Sequence, residues 1–321
     1  MGRVVSDRMR AVVQRSFGGP EVLEYTEVER PVPLPTEVLV QVRAIGVNPV
    51  DGFIRSGAFP MLGEPPFILG WDVAGVVVAL EPGVTRFAVG DEVYGMPMFP
   101  RQAGGYAEYV AAPSRHFARK PKGLDDAEAA ALPLVGLTAW QSLVDTGGLQ
   151  DGQRVLVHAA GGGVGHVAVQ IAKALGAHVT ATASAAKSEF VRGLGADEIV
   201  DYRARDFAEV VNDMDIVLDT VGGDTAFRSI QTLRPGGLLV TVADRRNMEL
   251  AARTEAAGRR FAGLTVEPDH SGLEALTRLV ETGRLRVHVS HRIPLAEAAK
   301  AHALVDEGRS TGKVVLTPDD R

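Results

Sequence analysis

The 321-residue sequence contains no cysteine. That single absence excludes disulfides, thiolate zinc sites and a cysteine nucleophile. A reducing cytoplasm suits such a chain, and cytoplasmic location is the expectation, although exported proteins also do without cysteine. No uninterrupted apolar run approaches the length of a bilayer-spanning helix, so no membrane partner is expected. The opening MGRVVSDRMRAVV lacks the apolar core of a signal peptide. Basic residues are outnumbered by acidic ones, with a net charge of -6. This balance offers no general surface for nucleic acid, and no nucleic-acid partner is expected. No G-K-S/T follows a glycine loop, which removes the Walker-type phosphate-transfer enzymes.

What the chain does have is 45% hydrophobic residues, enough for a full core and two domains. Residues 9–47 alternate short β-rich runs with turns, and Pro31, Pro33 and Pro35 prevent a helix there. ILGWDVAGVVVAL, VGDEVYGMP and YAEYVAAP continue this pattern, so the chain reads as mostly β through residue 125. DDAEAAALPLVGLTAWQSLVDTGGL is then alanine- and leucine-rich, and it predicts helices broken at Pro133 and Gly136.

A regular alternation follows. Strands are predicted at 155–158, 178–183 and 199–202, in MDIVLDTVGG and in GLLVTV; helices are predicted at 165–175, 187–194 and 225–233. Strands and helices at this spacing predict a parallel sheet covered by helices, an α/β class. A helix at 273–281, RLRVHVSHRI, a helix at 295–305 and a strand at 314–316 complete the chain, and the sequence alone leaves open which domain they join. There is no internal repeat.

VLVHAAGGGVGHVAVQIAKALGA places Gly161, Gly162, Gly163, Val164 and Gly165 between a buried-type strand and a helix. Exposed N–H groups at a helix start, with the helix dipole behind them, attract a pyrophosphate. The run departs from G-x-G-x-x-G, because His166 stands at the sixth position counted from Gly161. The bland alternative is a tight turn that binds nothing. After the next strand, TATASAAKSE offers Ser184 and Lys187 and no acid before Glu189. An acid there would hold the ribose 2′-hydroxyl of NAD, whereas a lysine and a hydroxyl suit the 2′-phosphate of NADP, so NADPH/NADP is the expected cofactor. Lys187 is otherwise an ordinary solvated helix lysine, and Tyr202 either covers the adenosine phosphate or closes the domain surface.

The ordered set GVNPVDGFIRSG, PPFILGWDVAGVV, VGDEVYG, GGYAEYV, AALPLVGLTAWQSL, HAAGGGVGHVAVQIAKALGA and GKVVL resembles the medium-chain dehydrogenase/reductase superfamily over nearly the whole chain. Within it, the chain is most similar to the zinc-free, quinone-oxidoreductase-like (zeta-crystallin-like) branch. The resemblance implies a GroES-like, mostly β catalytic domain over 1–125 and a Rossmann NADP-binding domain over 126–268. Residues 269–321 return to complete the first domain, and the active site is expected in the interdomain cleft. It also implies a homodimer formed through the edge strands of the Rossmann domains. Zinc-dependent relatives carry a cysteine where this chain has Asn48 and a histidine–glutamate pair where it has Trp71–Asp72, and residues 89–112 hold no cysteine cluster. A catalytic zinc is therefore not expected.

By the same resemblance Asn48 is the expected catalytic residue and also a cofactor contact, with an amide that offers both donor and acceptor. Its alternative is an Asx-turn residue before Pro49. Thr138, Gly162, Gly163, Val164, Ser184, Lys187, Tyr202 and Val221 complete the expected cofactor contacts. Asp51 and Arg55 recur in the motif, either in catalysis or in an internal salt bridge. Phe59, Trp71 and Met98 either wall a flat acceptor or belong to the core, and Arg309 is a further phosphate candidate. His158 and His166 are expected at the cofactor loop or in helix packing, and no residue stands out as a general acid. The expected activity is NADPH-dependent reduction of a small flat quinone or carbonyl acceptor. Reduction of an enone or enoyl C=C bond is the alternative, and a non-enzymatic cofactor- or RNA-binding protein is a third reading.

Overall fold

A computed structural model describes residues 7–319. The opening six residues of the sequence, part of the segment read above as no signal peptide, lie outside the described residues. The chain folds into two units. One reaches from the described N-terminal end to Leu134 and takes up Glu267–Arg278 and the chain from Val287 onward; the other comprises Val135–Val266 and Leu279–Arg286. The C-terminal segment is therefore divided, and Asp126–Ala130, expected with the Rossmann domain, packs in the first unit.

In the first unit, Arg8–Gln14 pairs antiparallel with Leu23–Glu29 and with Phe67–Ile68. A larger sheet runs in the order Val289–Pro294, Lys313–Thr317, Glu37–Val47, Asp72–Leu80, Glu92–Gly95, Phe117–Arg119, with Tyr109–Pro113 also on Glu37–Val47. Glu37–Val47, EVLVQVRAIGV, is rich in β-branched residues whose methyl groups fit a pleated, buried surface, and most of it is buried. The closing strand Lys313–Thr317 lies antiparallel beside the end of Glu37–Val47, with Val314 opposite Val47. That pairing sets Lys313 next to the turn that follows Val47.

The second unit is a six-stranded sheet in which every neighbouring pair is parallel. Its order is Glu198–Asp201, His178–Ala183, Arg154–Val157, Met214–Asp219, Leu233–Thr241, Arg260–Gly263. In chain order these are strands three, two, one, four, five and six, the Rossmann arrangement, which reverses direction between strands one and four. Leu156, Met214, Val217, Leu233, Leu239 and Leu250 pack with Phe207 in one core cluster. The helix Gly163–Ala174 buries the run from Gly165 to Ala172.

One further sequence expectation changes, and two elements were not foreseen. Gly136 does not break the helix: Pro133–Trp140 is continuous, with Pro133 at its start, and runs on through a π-helical segment, Gln141–Thr146. A helix-interior glycine costs about 1 kcal/mol, and burial of Val135, Leu137 and Ala139 around it outweighs that. The sixth strand, Arg260–Gly263, and the helix Met248–Ala256 were not identified from the sequence, although Asn247 caps the helix and Glu249 lies in its first turn. The strand is four residues long and only partly buried, so it shows neither an apolar run nor clean alternation.

Candidate active site

In a parallel sheet every strand delivers its carboxyl end to the same edge, where α/β proteins bind ligands. Five segments gather there in the second unit. The glycine turn follows Val157, Ser184 follows Ala183, Tyr202 follows Asp201, Val221 comes two residues after Asp219, and Asp244 comes three after Thr241. The sequence separates these segments; the topology brings them to one edge.

The glycine turn is built for close approach. Gly162 is the extended residue before the helix Gly163–Ala174. A Cβ at Gly165 would collide with the carbonyl oxygen of Ala159 and with Ala160, so only glycine lets the helix start this close to the strand end. Gly162, Gly163 and Val164 are only partly buried; Gly162 N–H bonds Ala159 O at 2.9 Å, whereas the N–H groups of Gly163 and Val164 lie in the first turn, where the helix has no partner for them. Any Cβ on Gly161 would lie 2.7 Å from Cδ of Lys187, so the lysine stem runs across the turn. Burial lowers the Lys187 pKa from its ordinary value. Ser184 sits immediately before the helix Ala185–Gly193, and no carboxylate of that helix precedes Glu189. Tyr202 is half exposed with the Arg203 guanidinium 5.7 Å from its ring centroid. Arg203 is a second cation near this edge that the sequence reading missed.

Behind this surface the polar groups serve the scaffold. Buried Asp219 accepts Val221 N–H at 3.0 Å and Gly222 N–H at 2.9 Å through one oxygen, and the Thr241 hydroxyl at 2.6 Å through the other. It thereby shapes the turn that exposes Val221. His158 is buried between the Thr182 and Ser229 hydroxyls, at 3.1 and 2.9 Å, and burial pulls its pKa down to about 4. His166 turns Nδ1 onto the carbonyl of Gly163 at 2.7 Å. Both histidines therefore belong to the packing of the turn. Thr138 is buried in Pro133–Trp140.

The first unit holds the second cluster, around Asn48. This residue precedes the helix Pro49–Arg55, whose first position is a proline with its φ already helical. Asp51 reaches back and accepts the Asn48 N–H at 2.7 Å. The Asn48 side chain also meets two charged groups. Its Nδ2 donates to Asp72 Oδ2 at 2.8 Å, and its Oδ1 accepts from Lys313 Nζ at 2.5 Å. Lys313 also donates to Val47 O at 2.9 Å and to Asp72 at 3.3 Å. The second oxygen of Asp72 accepts Leu134 N–H at 2.6 Å. Asn48, Asp72 and Lys313 are all buried, and burial raises the Asp72 pKa against the pull of the ammonium.

Asp51 and Arg55 form no salt bridge with each other. Tyr106 donates to Asp51 at 2.9 Å and lies 2.9 Å from His302 Nε2; His302 Nδ1 takes a hydrogen bond from Arg55 at 2.9 Å; Arg55 then pairs with Asp306 at 2.8 Å. Arg55 has no acceptor atom, so His302 Nδ1 must be unprotonated and Nε2 carries the hydrogen. Burial, reinforced by Arg55, drops the His302 pKa to about 3, and burial lifts Asp51 to about 7. Trp71 belongs to the core, fully buried, edge-on to Phe99 and bonded through Nε1 to Arg101 O at 2.7 Å. Phe59 and Met98 are partly buried, and Arg309 is exposed ahead of Lys313–Thr317. Gly104–Gly105 is stitched down, since Gly105 N–H bonds Gly70 O at 3.0 Å. Lys313, Tyr106 and His302 were not singled out from sequence; GKVVL was the only signal available for Lys313.

The residues at the zinc-ligand positions of zinc-dependent relatives are thus an amide, an indole and a carboxylate already paired with an ammonium. Among the described residues no group of three or more His, Cys, Asp or Glu is arranged to hold a metal ion. No helix among them is long and apolar enough to cross a membrane.

Comparison with known proteins agrees with this geometry. Residues 34–122 match the family model "Alcohol dehydrogenase GroES-like domain", and residues 194–316 match "Zinc-binding dehydrogenase". The quinone oxidoreductase of Coxiella burnetii superposes with a TM-score of 0.92 at 35% identity, covering 97% of this chain and 99% of that one. The Escherichia coli quinone oxidoreductase complexed with NADPH superposes with a TM-score of 0.86 at 29% identity, covering 96% and 100%. A 2-haloacrylate reductase from a Burkholderia species is 36% identical over 97% of this chain and 99% of its own length. With its Rossmann sheet, its GroES-like unit and no cysteine to serve as a zinc ligand, the chain belongs to the medium-chain dehydrogenase/reductase superfamily, in the zinc-free branch that contains the quinone oxidoreductases.

Proposed function

We propose that the protein is a zinc-independent, NADPH-dependent reductase of quinones. The observation that carries this reading is the edge of the parallel sheet, where the glycine turn stands beside a lysine rather than an acid. Gly163 and Val164 offer backbone N–H groups to a pyrophosphate, and Gly162 lets it approach the main chain closely. Ser184, Lys187 and Tyr202 take the 2′-phosphate, Val221 approaches the nicotinamide ribose by its backbone, and Thr138 serves the nicotinamide end. Bound NADPH supplies a hydride. The protein's part is orientation and a preset electrostatic environment rather than acid chemistry of its own. Asn48 orients the acceptor carbonyl or the nicotinamide amide. With His158 neutral and His166 turned onto the Gly163 carbonyl, solvent supplies the proton that completes the hydroquinone.

Reduction of an activated C=C bond is the second reading, favoured by the likeness to a 2-haloacrylate reductase. The two differ in the atom that receives the hydride and share every residue named here. Loss of NADPH absorbance with a quinone and an enone in parallel, and with NADH beside each, separates them. Faster quinone turnover supports the first reading and faster enone turnover the second. Preference for NADH would refute the roles of Ser184 and Lys187. We infer further that the chain forms a homodimer through edge strands of its six-stranded sheet, which sedimentation tests, and that it works in the cytoplasm, as a chain without cysteine suits.

A further inference from the structure

The Asn48 amide is held in one orientation by charge. An ammonium has donors and no acceptor, so the group 2.5 Å from Lys313 Nζ must be the amide oxygen. A carboxylate only accepts, so the group 2.8 Å from Asp72 must be the amide nitrogen. The usual ambiguity between O and N in an asparagine is absent here. The three donors of Lys313 meet three acceptors, Val47 O, Asn48 Oδ1 and Asp72 Oδ2. The second hydrogen of Asn48 Nδ2 has only Gly46 O, at 3.4 Å, which is long for such a bond. One hydrogen of a polarised amide is thus weakly committed.

A buried ion pair is poor value as a stabilising device, because apolar residues of the same volume serve as well or better. What this pair does supply is direction. We propose that Lys313 and Asp72 are positioning residues that lock the Asn48 amide, with its oxygen on the ammonium and its nitrogen on the carboxylate, for reduction of the acceptor. This deepens the reductase reading and rests on it. Lys313 reaches Asn48 across 265 residues, on the strand that closes the first unit.

The test is the double variant Lys313→Met with Asp72→Asn. It removes both charges at nearly constant volume, and an asparagine at 72 still accepts Leu134 N–H. Its own NH2 then faces Asn48, so the Asn48 amide must turn over to present its oxygen. With a quinone and NADPH, kcat is expected to fall at least about tenfold, as misorientation at a reacting centre does. The KM for NADPH should stay within about twofold. Unchanged kcat with the amide reversed overturns the proposal. Lys313→Gln and Lys313→Met, both of which leave Asp72 without its ammonium and are compared at pH 5.5 where that loss is smaller, give a second test, since they differ chiefly in one hydrogen-bond donor to Asn48 Oδ1. The glutamine variant is expected to keep several-fold more kcat, and equal values overturn the proposal. If the wild-type protein reduces no acceptor, the reductase reading fails. The lock is then decided by exchange of the Asn48 side-chain amide protons, slow in the wild type and faster when Lys313 is Met; equal exchange refutes it.

Discussion

Replacing Lys313 by methionine keeps the length of the side chain and removes its charge. In the folded protein Asp72 is fully buried, and Lys313 donates to it at 3.3 Å. Stripping one partner from such a pair leaves an uncompensated buried charge, at a cost of about 3–5 kcal/mol. The unsatisfied oxygen of Asn48 lies within the same cluster, so its loss is part of this figure and is not added to it. The penalty has a pH signature. Burial already raises the Asp72 pKa, and removing the ammonium that lowers it raises it further. A carboxyl whose folded pKa lies above its unfolded value binds more protons folded than unfolded. Its stability contribution is therefore present at low pH and is lost as pH rises through the folded pKa. Lys313→Met should be more destabilised at pH 8 than at pH 5.5, read as the urea-unfolding transition of the first unit. Adding Asp72→Asn should recover most of the loss. A penalty below about 1 kcal/mol, the same at both pH values, would refute the assignment of Lys313 and Asp72 as a charged buried pair.

Three further outcomes follow from other residues. Lys187→Ala should weaken NADPH binding about tenfold, the worth of one charge-assisted hydrogen bond, and leave NADH binding unchanged in a fluorescence titration; equal losses would remove Lys187 from the 2′-phosphate. His302 is neutral when folded, with a pKa near 3 against 6.5 when free, so it draws stability down as pH falls below about 6.5. Between pH 6.5 and 5 this amounts to about 1.6 kcal/mol, and the unfolding free energy of a His302→Gln variant should fall less steeply over that range. Gly165→Ala drives a methyl into Ala159 O and should cost about 1–3 kcal/mol in the second unit, with weakened NADPH binding by calorimetry.

Much of the second unit was legible in sequence because its central strands are buried on both faces and read as apolar runs. Val155–Val157 and Ile216–Leu218 are nearly free of solvent contact, and the glycine cluster between strand and helix marks the ligand edge. Arg260–Gly263 was invisible, since a short edge strand needs apolar residues on neither face. Asn48 and Lys187 could be singled out, but not what surrounds them. A lysine in GKVVL reads as surface. Its burial depends on acceptors at 47, 48 and 72, supplied by strands far away in sequence. The same holds for His302, whose partners Arg55 and Tyr106 lie about two hundred residues or more upstream. Periodicity reports which face a residue occupies and says nothing of which polar group meets it there.

The central claim is hydride transfer from NADPH without a metal, and one measurement addresses it directly. The purified protein is treated with a chelator, its zinc content determined, and NADPH oxidation with a quinone followed by absorbance before and after. An unchanged rate with zinc far below one ion per chain is the predicted result. A rate that collapses on chelation and returns with stoichiometric zinc would contradict the account.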